Sequence, residues 1–436
     1  MSKKIRNKKL RVNIISGFGI KGLSIALSFI FIPLVLNYLT SYKYGIWLTI
    51  NSVVAWFSYF DIGLSGGLRI KLQEFLALKD FKKAKEYVST TYIALLMIAF
   101  VLIFVVLGIL MVFDFDYSSF FKTSSDMRNE LSYVMYITVS CFFVRFVLQP
   151  ISTILMADQN NSIASLIFLT ENIFNLIGIY FLMRFSENSL IWASLIFALS
   201  PILNLSIYSI IFFSSKYKNI RPSFSDYRPD LIKSLLGISL DVFIISISLI
   251  LLIQTNNIMI TKLFTPEKVT EYNLSYKLFS TFGTAFTLVV APLWSAFAEA
   301  YALKDTIWIK MALNKILKYY IFIACGMLIL VPFGSQIVLI WTKLKIENQG
   351  LFLTCAIYFI VQNFMMIFSF LFNAMGIIKL QRNMAIYGAL VNIPLILLFV
   401  NVFDWGLSSI LIANTCAIIP AIFIYPIVAK KRLLAI

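Results

Sequence analysis

Long apolar runs dominate the chain, interrupted at short intervals by charged clusters. Runs of spanning length lie near 12–37, 44–68, 88–113, 131–156, 162–183, 189–214, 234–261, 272–298, 316–341, 351–374, 384–403 and 406–429. Each has the ~20 residues that an α-helix rising ~1.5 Å per residue needs to cross a hydrocarbon core. The pattern predicts an all-α membrane protein with twelve transmembrane helices.

Composition narrows the class. Of 436 residues, 60% are apolar, against ~45–50% in soluble domains. That excess excludes a soluble enzyme, a nucleic-acid binder and a secreted domain. The net charge of +17 comes from 37 basic and 20 acidic residues. With the N-terminus in the cytoplasm, parity assigns 26 Lys and Arg to cytoplasmic segments and 8 to the opposite side, leaving Lys21, Arg145 and Lys277 within spans. This follows the positive-inside rule and puts both termini in the cytoplasm. The run after the basic start MSKKIRNKKLR is too long for a signal-peptide core and reads as the first span. No loop exceeds about twenty residues, so no extramembrane domain is expected. The chain has no histidine, which excludes imidazole-based catalysis or metal binding. Cys141, Cys325, Cys355 and Cys416 all sit in apolar runs and fit neither a disulfide framework nor a zinc site. No cofactor is expected.

The charged, proline-containing connection 215–233 divides the chain into a first lobe (1–214) and a second (234–436) of six spans each. The halves echo one another. Glu74 is followed by Ala77-Leu78-Lys79-Asp80 and Lys85; Glu299 is followed at the same offsets by Ala302-Leu303-Lys304-Asp305 and Lys310. An internal repeat with an even number of spans per copy predicts a pseudo-two-fold along the membrane normal, as in several transporter families.

Polar residues within spans carry the candidate chemistry, because a charge at mid-bilayer costs at least ~2.5–3.5 kcal/mol. In the first span Asn13, Gly17, Lys21, Ser24 and Ser28 share one helical face. In the second, Asn51, Ser58 and Ser65 recur at sevens, as do Ser234, Asp241, Ser248 and Thr255 in the seventh. The eighth offers Lys277, Ser280, Thr281 and Thr284. Hydroxyls alone read as helix-packing groups; a stripe that includes Lys or Asp reads as the wall of a wet central cavity. Lys21, Arg145 and Glu171 lie deep in three spans of one half and suggest a shared site. Two arrangements are open: a cationic patch for an anionic headgroup with Glu171 orienting or titrating, or a buried Arg145–Glu171 or Lys21–Glu171 pair that fixes packing. Lys277 is near a span end and is able to snorkel. Asp241 is the second half's candidate proton or sodium site. Pro33, Pro150, Pro201, Pro292, Pro332 and Pro394 in or near spans permit bends, either as hinges or as static kinks.

The stretch Ile20–Leu68, with K-G-L-S, F-I-x-x-P-L-V-L-N-Y-L and Y-G-I-W-L-T-I-N-S-V-V-A-W-F-S-Y-F-D-I-G-L-S-G-G-L-R, resembles the N-terminal signature of the oligosaccharide flippases. These belong to the polysaccharide-transport branch of the multidrug/oligosaccharidyl-lipid/polysaccharide (MOP) exporter superfamily. Y-N-L-S-Y-K-L followed by A-P-L-W-S-A-F-A-E-A resembles the second-half counterpart. The resemblance implies a two-lobed transporter moving undecaprenyl-pyrophosphate-linked oligosaccharide from the cytoplasmic to the outer leaflet of the bacterial cytoplasmic membrane. It also implies alternating access through a cationic cavity, for which Lys21, Arg145 and Lys277 are candidates by kind and location. The implied partners are the lipid-linked substrate, the bilayer and polysaccharide assembly proteins, with no nucleic acid.

Two other readings compete. A drug or cation exporter of the same superfamily would favour carboxylates at mid-membrane. A membrane glycosyltransferase or O-unit polymerase would favour a sizeable loop or acid/base groups near a membrane surface; Asp61 in F-D-I-G-L is the best acid on offer, and is better placed as a helix-end residue.

Overall fold

The computed structural model describes residues 3–112, 116–236 and 240–434, with side chains from residue 17 onward except that of Leu240. The described residues form helices and turns with no strand. The chain divides into two compact units, Met1–Phe243 and Ile244–Ile436.

Unit 1 contains α1 (Lys3–Tyr38), α2 (Ser41–Ala55), α3 (Leu64–Leu78), α4 (Phe81–Val112), α5 (Tyr117–Phe121), α6 (Met127–Leu148), α7 (Pro150–Ala157), α8 (Asn161–Phe185), α9 (Leu190–Ser214) and α10 (Asp230–Leu236). The unit boundary falls early in α11 (Leu240–Leu263). Unit 2 continues with α12 (Pro266–Val290), α13 (Leu293–Ala302), α14 (Thr306–Leu330), α15 (Gly334–Thr342), α16 (Gln349–Met375), α17 (Ile378–Asn401) and α18 (Ser409–Leu434). In unit 1, α1 packs on α8, α6 on α9 and α3 on α4, around Ile46, Ile50, Leu68, Leu72, Leu95 and Leu131. In unit 2, α16 packs on α12 and α18, and the core is aromatic: Phe279, Phe286, Phe297, Phe352 and Phe372 are fully buried.

Outward-facing side chains are as apolar as the core. Along α4, Phe100 and Phe104 are 64% and 62% exposed. A contiguous apolar face of this kind belongs in lipid. Among the described residues ten helical segments are long and apolar enough to cross a membrane, and α12 with α13, bent by 40°, makes an eleventh.

The second run, 44–68, is not a single helix. It breaks into α2, a 3-10 turn over Trp56–Asp61, and α3. Ile62 and Gly63 are both left-handed, with φ 51° and 84°. The Asp61 carboxylate holds the break open by accepting from the Gly63 N–H at 2.8 Å and the Ser65 N–H at 3.4 Å. Asp61 is thus a helix-end residue, as its sequence context suggested. The stripe expected through Asn51, Ser58 and Ser65 does not run along one face, because Ser58 lies in the 3-10 turn. In the seventh run, 234–261, Asp241 lies in the first described turn of α11.

The repeated tetrapeptide has one backbone geometry in both halves. Lys79 and Lys304 are left-handed, each with φ 58°. Asp80 N–H donates to Phe75 O and Asp305 N–H to Ala300 O, both at 2.9 Å. The Asp80 carboxylate then accepts from Lys83 N–H at 3.0 Å, and the Asp305 carboxylate from Trp308 N–H at 2.9 Å. Every partner is displaced by 225 positions. Leu-Lys-Asp therefore encodes a helix stop and the next helix's N-cap in one stroke. Upstream, α2 and α12 begin at the same offset behind Thr40 and Thr265.

The connection 215–233 is folded onto unit 1. Ser223 N–H donates to Ser89 Oγ at 3.1 Å and Arg228 N–H to Thr90 Oγ1 at 3.0 Å. Lys85 Nζ lies 2.7 Å from Asp226 Oδ2. Tyr217, Lys216 and Asn160 all donate to Asp158. These contacts explain why Ser89 and Thr90 are fully buried near the start of an apolar helix, where Thr91 donates to Tyr87 O at 2.9 Å.

Candidate functional site

Within unit 1 a small cavity of about 50 Å³, of mixed polar and apolar lining, opens between α2, α6 and α9. Trp47 and Asn51 reach it from α2, Thr138 and Arg145 from α6, and Ser194 and Phe197 from α9. The Trp47 and Phe197 rings lie 4.6 Å apart and form an aromatic wall. Ser194 is 1% exposed and its hydroxyl has no hydrogen-bond partner. An orphaned buried hydroxyl is costly unless something enters to meet it.

Arg145 supplies the charge. Its Nη1 stands 3.7 Å from Glu171 Oε1 on α8, with the arginine side chain 43% exposed and the glutamate 14%. At that separation the two attract but do not hydrogen bond. The guanidinium therefore keeps its donors unengaged among the described residues, and it cannot deprotonate. A permanent fork of donors on the wall of such a cavity is chemically suited to an oxyanion.

The sequence candidates separate into groups. Arg145 and Asn51 line one cavity, and Glu171 pairs with Arg145 and not with Lys21. Lys21 is exposed on α1. Lys277 is half-buried on α12 in unit 2, where the Ser280 and Thr281 hydroxyls donate to its backbone carbonyl at 3.0 and 2.9 Å. Ser24 and Ser248 are buried and donate to the carbonyls of Ile20 and Ile244 on their own helices. Asn51 likewise donates from Nδ2 to Trp47 O at 2.9 Å. Thr255 is buried with its hydroxyl unpartnered. The side chain of Asn13 lies outside the described residues.

Trp47, Thr138 and Ser194 are cavity residues that sequence reasoning passed over. It also passed over a polar cluster beside Glu171, outside the cavity lining: Thr170 donates to Asn204 Oδ1 at 2.8 Å, Asn204 donates to Ile167 O at 2.7 Å, and Asn172 and Asn175 hold buried polar atoms without partners. The available signal was the cluster T-E-N-x-x-N inside an apolar run.

No family model matches the chain. A curated Salmonella typhi protein provisionally named O-antigen transporter is 24% identical over 277 residues, which cover 62% of this chain. The match spans 60% of that relative's length. A solved multidrug resistance MATE-family transporter of the MOP superfamily, in an inward-facing conformation, aligns over 97% of this chain and 98% of its own. Its TM-score is 0.78 at 14% identity. The chain has the fold of the MOP-superfamily transporters. A Pyrococcus furiosus MOP-superfamily transporter, described by a binding pocket of reversed polarity, aligns over 98% of this chain and 95% of its own, with TM-score 0.63 and 14% identity. The MOP resemblance read from Ile20–Leu68 thus stands at the level of fold, and the chain is a multi-pass membrane protein whose relatives are transporters.

Proposed function

We propose that this protein translocates a polyprenyl-pyrophosphate-linked oligosaccharide from the cytoplasmic to the outer leaflet of a bacterial cytoplasmic membrane. One observation carries the reading: a cation, Arg145, loosely paired with Glu171, on the wall of a cavity of mixed lining inside an apolar helical unit. An organic-cation exporter would want the opposite sign there. The multidrug transporter with the same fold favours that second reading, and the O-antigen relative favours the first.

The physics of the task fits such a cavity. Each sugar hydroxyl costs ~4–8 kcal/mol in a medium that cannot hydrogen bond, so unaided flipping is negligible. A polar path removes that barrier while the polyprenyl tail stays in lipid. Moving the pyrophosphate's charge outward gains ~2.3 kcal/mol per charge per 100 mV of inside-negative potential. In this proposal Arg145 receives the anionic headgroup, Lys21 and Lys277 add positive potential, and Glu171 or Asp241 is the place for proton or sodium coupling. Twelve spans in two six-helix lobes, a pseudo-two-fold along the membrane normal and cytoplasmic termini complete the proposal. The recurring helix-stop geometry and the 26-to-8 charge bias support it. Polysaccharide assembly proteins are its expected partners.

The test is deletion of the gene, with lipid-linked oligosaccharide located by a glycosidase confined to the outer face. Accumulation on the cytoplasmic leaflet with loss of surface polysaccharide is expected, rescued by wild type and reduced at least tenfold with Arg145→Ala at equal abundance. Rescue by Arg145→Ala would keep the flippase and remove the site. Normal surface polysaccharide with raised retention of cationic dye would establish the drug exporter instead.

A further inference from the structure

Unit 2 carries a groove that the proposed transport cavity does not use. α14, α16 and α18 enclose about 210 Å³ where α14 begins and α18 ends. Its wall is apolar: Leu313 from α14, Phe368 from α16, and Leu433 with Pro426 from α18. Its charged groups are both cations, Lys310 of α14 and Lys430 of α18.

The three helices contain no aspartate or glutamate along their whole length, while Lys315, Lys318, Lys431 and Arg432 add to the positive charge. Both groove lysines are exposed, and among the described residues neither makes an ion pair or hydrogen bond. The internal repeat makes the vacancy specific. Lys85, the counterpart of Lys310 in the first half, is neutralised by Asp226 at 2.7 Å. In the second half Lys430, Lys431 and Arg432 lie near the end of α18. Among the described residues Lys310 has no such partner.

A soluble anion would satisfy the lysines and leave the apolar wall bare. A zwitterionic lipid would bring its own cation to two cations already in place. We propose that this groove holds an anionic phospholipid, its phosphate between Lys310 and Lys430 and one acyl chain along Leu313, Phe368 and Leu433. Basic pockets between membrane helices recognise lipid headgroups by this combination of charge and shape. The inference rests on the membrane location and the groove alone, so it stands or falls separately from the transported substrate.

The test is lipid retention by the full chain in detergent, read by native mass spectrometry during titration with phosphatidylglycerol or phosphatidylcholine. Two lysines near a membrane surface predict about thirtyfold tighter retention of phosphatidylglycerol. The doubly substituted Lys310→Ala/Lys430→Ala chain is expected to lose that preference, and Lys310→Arg/Lys430→Arg to keep it. Leu313→Trp, which fills the groove without changing charge, is expected to weaken retention of both lipids. Equal retention of the two lipids by wild type would overturn the proposal, as would an unchanged preference in the double alanine chain. Displacement of phosphatidylglycerol by undecaprenyl phosphate, with no displacement in the reverse direction, would assign the groove to a substrate's tail and overturn it too.

Discussion

At Gly67 the backbone carbonyl of Leu235 comes so close to α3 that a β-carbon there would overlap it. The neighbour is main chain, which cannot rotate away, so Gly67→Ala must push α10 off α3. Overpacking of this kind costs ~1–3 kcal/mol, and a lowered thermal midpoint of the detergent-solubilised protein is the expected reading. Residue by residue, the legible candidates were those whose chemistry is out of place in lipid. Arg145, Glu171 and Asn51 announce themselves because a charge or amide in a span needs a reason. Trp47, Thr138 and Ser194 do not, since an aromatic or hydroxyl side chain in a span is equally a packing group. Glu171's choice of Arg145 over Lys21 was beyond sequence, because depth along a helix says nothing about which helices adjoin.

Among elements, the two halves make the same helix stop from the same residues. Asp80 and Asp305 each accept from the N–H three positions on, so Asp80→Ala and Asp305→Ala should have matching effects. Loss of an N-cap costs ~1 kcal/mol, and amide exchange at Lys83 and at Trp308 should quicken by about fivefold in the respective variants. A large effect at one site and none at the other would show that the two turns are alike only in shape. The long uninterrupted helices were legible from hydropathy, because burial in lipid demands little beyond length and apolarity. The broken ones were not. The run 44–68 stays apolar through its break, and hydropathy is blind to φ; Asp61 and Gly63 were the cue. The bend between α12 and α13 is equally hidden except for Pro292. Interrupted helices are a recurring setting for transporter binding sites, which makes these elements the natural targets for cysteine accessibility mapping.

For the whole molecule, the connection 215–233 is charged and proline-containing, and composition alone suggested a linker. Its attachment to α4 depends on pairings that composition cannot reveal. The Lys85 ammonium, donating to Asp226, holds that carboxyl below the usual aspartate range. A carboxyl whose pKa falls on folding stabilises the docked form above its unfolded pKa, and that contribution is lost as pH drops through the lowered value. Protection from hydrogen exchange across 220–230, relative to the intrinsic rate at each pH, should therefore be unaffected by this pair between pH 7 and 5 and fall only below about pH 4. Lys85→Ala should lower it at pH 7, but by no more than a few-fold, since both partners are partly exposed to water and ion. Protection already lost at pH 6 would mean that another group governs docking.

That attachment also bears on the order of biogenesis. The hydrogen bonds that hold 215–236 in place go to residues 85–90 and 158–160, all of them earlier in the chain. As synthesis passes Leu236, the strap has every one of these partners already made. The first half can then close on itself while the ribosome is still translating the second.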